Sequence, residues 1–438
     1  MTRQSTLIGV LCLLALAPAH LHAAADATAF ATALMTRDGA AVRAHGTPEM
    51  AAALTDAAIG QLVFGVTAQV GADPAVGPAW LQREADGYAH WRVPLRGTKS
   101  TLDFEVVVDG QARVAGLWLR PHVPTPEEAA AAPEPGAPRE LEIAVGPAGS
   151  ALPGLLALPE GDGPFPVVVL VHGSGSTDRD ENVMGNRPFR DLAHGLAARG
   201  VATVRYDKRS FVYPAAQQAL GEALTVQQET IDDAVAAVAL ARTRTELDPK
   251  RVYVLGHSLG GTAGPRIAAQ GRADGLIVVA GMARTLVELV LEQVRHNANA
   301  DGTLSLDEAI SIERMESQAA RTREAPDSTS FLGYPPAYLA DLARHDAPAI
   351  AAALEIPVFV LQGGRDFQVT LADFALWEAA LKDRPQACLK VYPQLDHLLR
   401  AGEGVSSGES YAVPGVVEDA LIGDVAGFVL KGCGGVRP

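Results

Sequence analysis

Apolar residues are spaced in two different ways along this chain. In the first hundred or so residues they recur at helical or alternating intervals. Residues 27–37 and 48–61 carry helix-favouring side chains. Residues 88–95, 101–108 and 111–119 read as strands, with Leu102, Phe104, Val106 and Val108 alternating with polar neighbours. Asp109-Gly110 between the last two is a hairpin turn signal. This stretch, 26–120, predicts a small α+β domain. Six prolines then punctuate 121–139, from Pro121 to Pro138, which reads as a semi-extended linker.

From about residue 140 the pattern becomes short, unbroken apolar runs. Those at 166–172, 201–206, 251–256, 275–281, 356–362 and 389–392 predict strands buried on both faces. Helical patterns lie between and after them, at 189–199, 226–244, 259–270, 371–381 and 416–430. Strand alternating with helix implies a mostly parallel sheet covered on both sides, an α/β fold. The runs at 140–145 and 154–158 predict an antiparallel pair at one edge. The connection from 282 to 355 is too long for a simple crossover. Its helical character predicts a cap inserted where the sheet's C-terminal edge receives ligands. No internal repeat is visible.

The ends and the charge narrow the setting. Arg3, the apolar run 7–17 and the small residues Ala23-Ala24-Ala25 predict a signal peptide over 1–25, cut near Asp26. The mature protein is then expected in the periplasm or secreted. No later run is long and apolar enough for a membrane span. The formal net charge is −15, which repels phosphate backbones and anionic membranes and argues against nucleic acid as a partner. Beyond Cys12 in the leader only Cys388 and Cys433 remain. In an exported protein they suggest one disulfide, with Cys388 opening a strand and Cys433 closing the last helix beside it.

The candidate chemistry begins at Gly256-His257-Ser258-Leu259-Gly260. A strand leads in and a helix leads out, although Gly264-Pro265 interrupts the helical pattern. Such a turn presents a strained serine at a helix N-terminus, where negative charge is favoured. A serine hydroxyl needs a base. Asp366 and His397 follow two later strands in the order serine, acid, histidine. His397 is the expected base and Asp366 its orienting acid, with Asp396 as a rival acid and His257 and His172 as rival bases. The oxyanion donors are expected at the N–H of Leu259 and in the loop His172-Gly173-Ser174-Gly175, through Ser174 or alternatively Gly173. That loop lacks the spacing of a phosphate cradle.

Residues of about 140–432 resemble the α/β-hydrolase family, in particular its bacterial exported branch of carboxylesterase-like and dienelactone-hydrolase-like enzymes, which often carry a small preceding domain of unassigned function. The resemblance rests on His172-Gly173-Ser174-Gly175 with Asp178-Arg179-Asp180, on Arg205-Tyr206-Asp207-Lys208-Arg209, and on Gly256 to Gly261. It continues through Leu361-Gln362-Gly363 with Asp366, and Tyr392-Pro393 with His397. It implies the hydrolase fold, a Ser258–Asp366–His397 triad, a small-molecule ester substrate and no required cofactor. A peptidase, amidase or thioesterase using the same triad is the alternative. Asp178, Arg179, Asp207 and Lys208 are expected to form ion pairs around the mouth.

One further motif lies in the cap. Residues 297–308 can be laid on a twelve-residue calcium loop, with Asn297, Asn299, Asp301, the carbonyl of Thr303, Ser305 and Glu308 at the ligand positions. Asn stands where Asp is expected first, so only Asp301 and Glu308 would bring formal charge to a bound ion. The same residues also suit a helix–turn–helix without metal.

Overall fold

The computed structural model describes residues 17–437, apart from 86, 99–100, 124, 126–136, 300–301 and 326–327. Residues 1–16 of the expected leader and most of the expected linker therefore lie outside the described residues. The chain divides into two compact units, Met1–Pro133 and Glu134–Pro438.

In the first unit helices α1 (Ala17–Met35), α2 (Gly39–His45), α3 (Pro48–Ala53) and α4 (Asp56–Val70) precede an antiparallel sheet. The helix expected over 48–61 is two helices. Thr47 and Thr55 each accept a backbone N–H three residues on, and Thr55 caps a new start. The sheet has β1 (Ala75–Val76) and β2 (Trp80–Ala85) both on one edge of β3 (Tyr88–Arg96), then β4 (Thr101–Val108) and β5 (Val114–Pro121). Phe30, Leu34, Ile59, Val63 and Val66 from the helices pack with Trp91, Val93, Phe104 and Val106.

The β4–β5 turn is wider than Asp109-Gly110 suggests. Asp109 Oδ1 accepts the N–H of Gln111 and of Arg113, and its Oδ2 accepts from the Arg113 guanidinium. The positive φ falls on Ala112 (61°), so β5 begins at Val114 and not at residue 111.

The second unit is built on an eight-stranded sheet in the order β13-β12-β11-β10-β8-β9-β7-β6. β6 (Arg139–Val145) and β7 (Leu152–Leu158) form the antiparallel edge. β8 (Phe165–Val171), β9 (Ala202–Tyr206), β10 (Leu247–His257), β11 (Gly275–Val279), β12 (Val358–Gly363) and β13 (Ala387–Tyr392) are parallel. Val167 to Val171 are all fully buried because helices cover both faces.

The longer helices of this unit include α5 (Pro188–Ala197), α6 (Asp232–Thr243), α7 (Leu259–Gly271), α8 (Leu286–Ala298), α9 (Leu306–Glu324), α10 (Pro336–Ala343), α11 (Ala347–Ala353), α12 (Leu371–Leu381) and α13 (Asp419–Lys431). The α7 helix runs through Pro265 without a break. A disulfide joins Cys388 of β13 to Cys433 just after α13, with Cα atoms 5.6 Å apart. Beside it Asp424 of α13 accepts from Lys390 Nζ (2.8 Å) and from the Tyr392 hydroxyl (2.7 Å).

The insertion after β11 is helical, but its last part belongs to the sheet layer. α11 packs beside α7 and α12, and its Ala347 and Ala351 sit in the main core. The segment with its own small core, around Val287, Leu291, Ala319, Phe331 and Leu339, ends with α10. Its start is anchored by Asp373 of α12. That carboxylate is fully buried and accepts the N–H of Ala283 and of Arg284 as well as the Arg284 guanidinium.

Candidate active site

The chain leaves β10 and enters α7 through one residue, Ser258, at φ 55° and ψ −118°. A non-glycine residue with positive φ is strained, and strain of this kind gathers at functional sites. Ser258 N–H donates to Val279 O (2.9 Å), which ties the turn to β11. The flanking glycines are required by close approach. A Cβ on Gly256 would lie 2.0 Å from Gly260 O, and one on Gly260 would lie 2.2 Å from Val171 O. The Ser258 side chain is left partly exposed at the N-terminus of α7.

Asp366 and His397 come from the loops after β12 and β13. The loops are zipped together by Gly364 N–H to Tyr392 O (2.8 Å) and Arg365 N–H to Leu395 O (2.9 Å). His397 Nδ1 and Asp366 Oδ2 are 2.8 Å apart and both side chains are buried. Asp366 is saturated with donors: Gln362 Nε2 reaches Oδ2 (3.0 Å), and Gln368 N–H and Val369 N–H reach Oδ1 (2.8 and 2.9 Å). The rival acid Asp396 is engaged elsewhere. It accepts from Leu398 N–H, Arg400 N–H and, at 2.7 Å, the Arg400 guanidinium.

The rival histidines are structural. His257 Nε2 donates to the backbone carbonyl of His397 (2.9 Å), and its Nδ1 donates to Glu181 Oε2 (2.9 Å). The rings of His257 and His397 lie 4.7 Å apart. Burial alone would lower the His257 pKa, but the Glu181 charge and both hydrogen bonds outweigh it and raise it. Burial alone would raise Glu181, and the His257 charge and hydrogen bond together with the Gly173 N–H hold it below the ordinary value. His172 is packed against Phe189 and Tyr206, and burial lowers its pKa to about 4.

In the loop after β8, Gly173 presses against the serine: a Cβ there would lie 3.1 Å from Ser258 Cβ. Its own N–H is used by Glu181 Oε1 at 2.6 Å. That corrects the expectation that Gly173 N–H serves as an alternative oxyanion donor. Among the described residues, no turn or loop carbonyl accepts the N–H of Ser174 or Leu259. Of the four groups expected to form ion pairs at the mouth, Arg179 and Asp207 pair with each other, Lys208 pairs with a residue outside the set, and Asp178 pairs with no cation among the described residues. Arg179 grips Asp207 through its backbone N–H, Nε and Nη2 (2.8–2.9 Å). Asp178 caps its own loop by accepting from Asp180 N–H and Asn182 N–H. Lys208 pairs with Glu229 at 3.0 Å. Glu181 lies in no periodic pattern or recognisable motif, and Glu229 lies within the helical pattern 226–244 with nothing in the sequence to mark it as a partner of Lys208.

The cap segment touches this site at several points. His296 of α8 stacks on Phe367 (ring centroids 4.9 Å apart), and Gln293 Nε2 donates to Gln368 O (2.9 Å). Tyr338 of α10 donates to Glu229 Oε2 at 2.6 Å, and Tyr334 interacts with the side chain of Ser174. A largely apolar cavity of about 330 Å³ lies beneath the segment, lined among others by Thr262, Met282, Leu286, Val287, Leu339 and Leu342.

Of the expected calcium ligands, Asp301 lies outside the described residues. The side chains of three others are directed elsewhere. Asn297 Oδ1 accepts from Gly408 N–H (3.2 Å), Asn299 Nδ2 donates to Arg295 O (2.7 Å), and Glu308 closes a capping box with Ser305. Among the described residues no three His, Cys, Asp or Glu side chains are gathered as a metal site, and none of their helices is long and apolar enough to cross a membrane.

A model of the alpha/beta hydrolase family matches residues 168–434. Esterase EstD of Thermotoga maritima is 35% identical over 344 residues, spanning 78% of this chain and 80% of that protein. Among solved structures, Est1E from Butyrivibrio proteoclasticus is similar at 17% identity and a TM-score of 0.40, over 59% of this chain and 90% of that one. The 2,6-dihydroxy-pseudo-oxynicotine hydrolase is similar at 20% identity and a TM-score of 0.40, over 60% of this chain. This chain spans 63% of that protein's length.

Proposed function

The chain belongs to the α/β-hydrolase family, and from that premise we propose that it is a serine hydrolase cleaving carboxylic esters through an acyl-enzyme. The observation that carries the proposal is the His397 Nδ1–Asp366 Oδ2 hydrogen bond of 2.8 Å beside the strained Ser258 turn. The 35% identity to an esterase supports the choice of ester as substrate class.

In the proposed reaction Ser258 Oγ attacks the acyl carbon while its proton passes to His397 Nε2. Asp366 remains ionised, holds the Nδ1–H tautomer and stabilises the imidazolium that forms. The oxyanion is received by the N–H groups of Leu259 and Ser174, each worth roughly 3–4 kcal/mol in a site of this kind. Collapse expels the alcohol, which takes its proton from His397. A water then repeats the sequence on the acyl-enzyme and frees the acid. Every proton and electron pair is accounted for by these residues and water.

Export to the periplasm or beyond is part of the proposal. The leader-like pattern of 1–25 and the Cys388–Cys433 disulfide support it. The buried residues Ala27, Phe30, Ala31 and Leu34 follow the expected cut and would be retained.

A fluorophosphonate probe with peptide mapping tests the chemistry. The expected result is a single label on Ser258, lost in Ser258→Ala together with turnover of p-nitrophenyl esters. Labelling of another serine, or full turnover by Ser258→Ala, would overturn the assignment.

A further inference from the structure

We propose that Lys208 is a positioning residue for the oxyanion hole: its ammonium polarises the peptide unit whose N–H, that of Ser174, receives the developing negative charge. The inference rests on the serine-hydrolase reading above and deepens it.

Lys208 Nζ donates to the carbonyl oxygen of Gly173 at 2.8 Å, and the Lys208 residue is 2% exposed. Gly173 C=O and Ser174 N–H are the two ends of one planar, resonance-coupled amide. A cation held on the oxygen draws electron density from the nitrogen and makes the N–H a stronger donor, the cooperative effect of linked hydrogen bonds in a low-dielectric site. The carbonyl end is also fixed in place, which aims the N–H without reorganisation during the reaction.

The surroundings explain why a cation is kept there. A buried ion pair is weak evidence of a stabilising role, since apolar side chains of similar volume often do as well. Here the negative partner of Lys208 is Glu229, at 3.0 Å. Burial alone would raise the Glu229 pKa, but the Lys208 charge and the Tyr338 hydroxyl outweigh it and hold it below the ordinary value. Glu229 sits in a π-helical turn, Gln227–Ile231, a local widening often found at functional sites. On the other side of Gly173, the Glu181 carboxylate takes the preceding N–H and is balanced by His257. Two carboxylates and two cations thus clamp one glycine from both ends.

The same chain reaches the cap. Tyr338 of α10 donates to the Glu229 oxygen not used by Lys208. Asp341, one turn further along α10, accepts from Gln227 N–H and pairs with Arg266. The cap helix is therefore docked on the turn that positions the counter-ion of Lys208.

Lys208→Gln removes the charge while leaving a polar side chain, one bond shorter, that can still donate toward the Gly173 carbonyl. Steady-state turnover of p-nitrophenyl butyrate and the second-order rate of fluorophosphonate labelling are measured on the full chain. The expected result is a fall of about ten- to a hundredfold in kcat and in the labelling rate, smaller than the roughly 10²–10³ for losing a donor outright. KM stays within about twofold of the wild-type value, as for an interaction made only in the transition state. Lys208→Arg, which keeps the cation, recovers most of the loss. If Lys208→Gln does not fold, Lys208→Met/Glu229→Gln, which leaves no lone buried charge, is read in the same way. Unchanged kcat, or a change confined to KM, overturns the role of Lys208. Failure of the wild-type protein to label at Ser258 instead overturns the serine-hydrolase reading on which it stands.

Discussion

His257 Nε2 donates to the backbone carbonyl of His397 at 2.9 Å, so the residue before the candidate nucleophile holds the main chain of the candidate base. Its other nitrogen donates to the Glu181 carboxylate. With both ring nitrogens donating, His257 is an imidazolium. A raised folded-state pKa gives stability that is fully present below the unfolded value near 6.5 and is lost as pH rises through the raised one. The lowered pKa of Glu181 gives stability present above about 4.5 and lost as pH falls through the depressed value. The stability difference between wild type and His257→Gln is therefore expected to be greatest between about pH 4.5 and 6.5 and to shrink in alkali. Urea midpoints of both proteins at pH 5.5 and 9 check this; a gap independent of pH would refute the charged pair.

The two neighbouring acids separate function from stability. Asp366→Asn should lower kcat by about 10⁴-fold by favouring the wrong tautomer of His397, with little change in melting temperature. Asp396→Asn should keep most of kcat and lose about 3–5 kcal/mol of stability, because it strips the buried Arg400 guanidinium of its counter-charge. Kinetics and denaturation of the two variants side by side give the answer. The reverse pattern would make Asp396 the acid.

His172 makes the fold sensitive to acid. Its pKa of about 4 in the folded chain lies below the unfolded value of 6.5. Stability from burying it neutral is therefore complete above pH 6.5 and lost as pH falls toward 4, on the order of 3 kcal/mol over the range. His172→Gln should flatten that part of the pH–stability curve, measured by urea denaturation from pH 7 to 4.5. Parallel curves would show that the titrating group lies elsewhere.

The Cys388–Cys433 bond closes a loop across a sequence separation of 45. Replacing both by serine should cost about 4 kcal/mol on the loop-entropy account and leave turnover near wild type at 25 °C. Thiol titration of the denatured, unreduced wild-type protein should find neither cysteine free. Two free thiols there would remove the bond.

Much of the second unit was legible because buried parallel strands are continuous apolar runs. The run read at 356–362 is β12 at Val358–Gly363, and the 389–392 run is the end of β13 at Ala387–Tyr392. The contact between Asp366 and His397 was legible because both follow such strands. Glu181 was not, since its meaning arises from His257, 76 positions later in the chain. Nor was the π turn around Glu229, whose irregular hydrogen bonding leaves no mark on apolar periodicity. In the first unit, turn chemistry misled: Asp109 was read with Gly110 as a tight pair, while its carboxylate in fact spans to Arg113. The end of the cap was misplaced because α11 carries no sign in its alanines of which layer it joins.

The contacts at Gly256 and Gly260 leave no room for even a methyl group. Change at this protein is therefore unevenly permitted. The serine turn is a fixed point that single substitutions cannot edge away from while keeping the backbone path. The helices from α8 to α10 have a small core of their own and side chains that line the cavity beneath them. Laboratory evolution toward new substrates should therefore accumulate its successful substitutions in that segment, and leave the turn as it is.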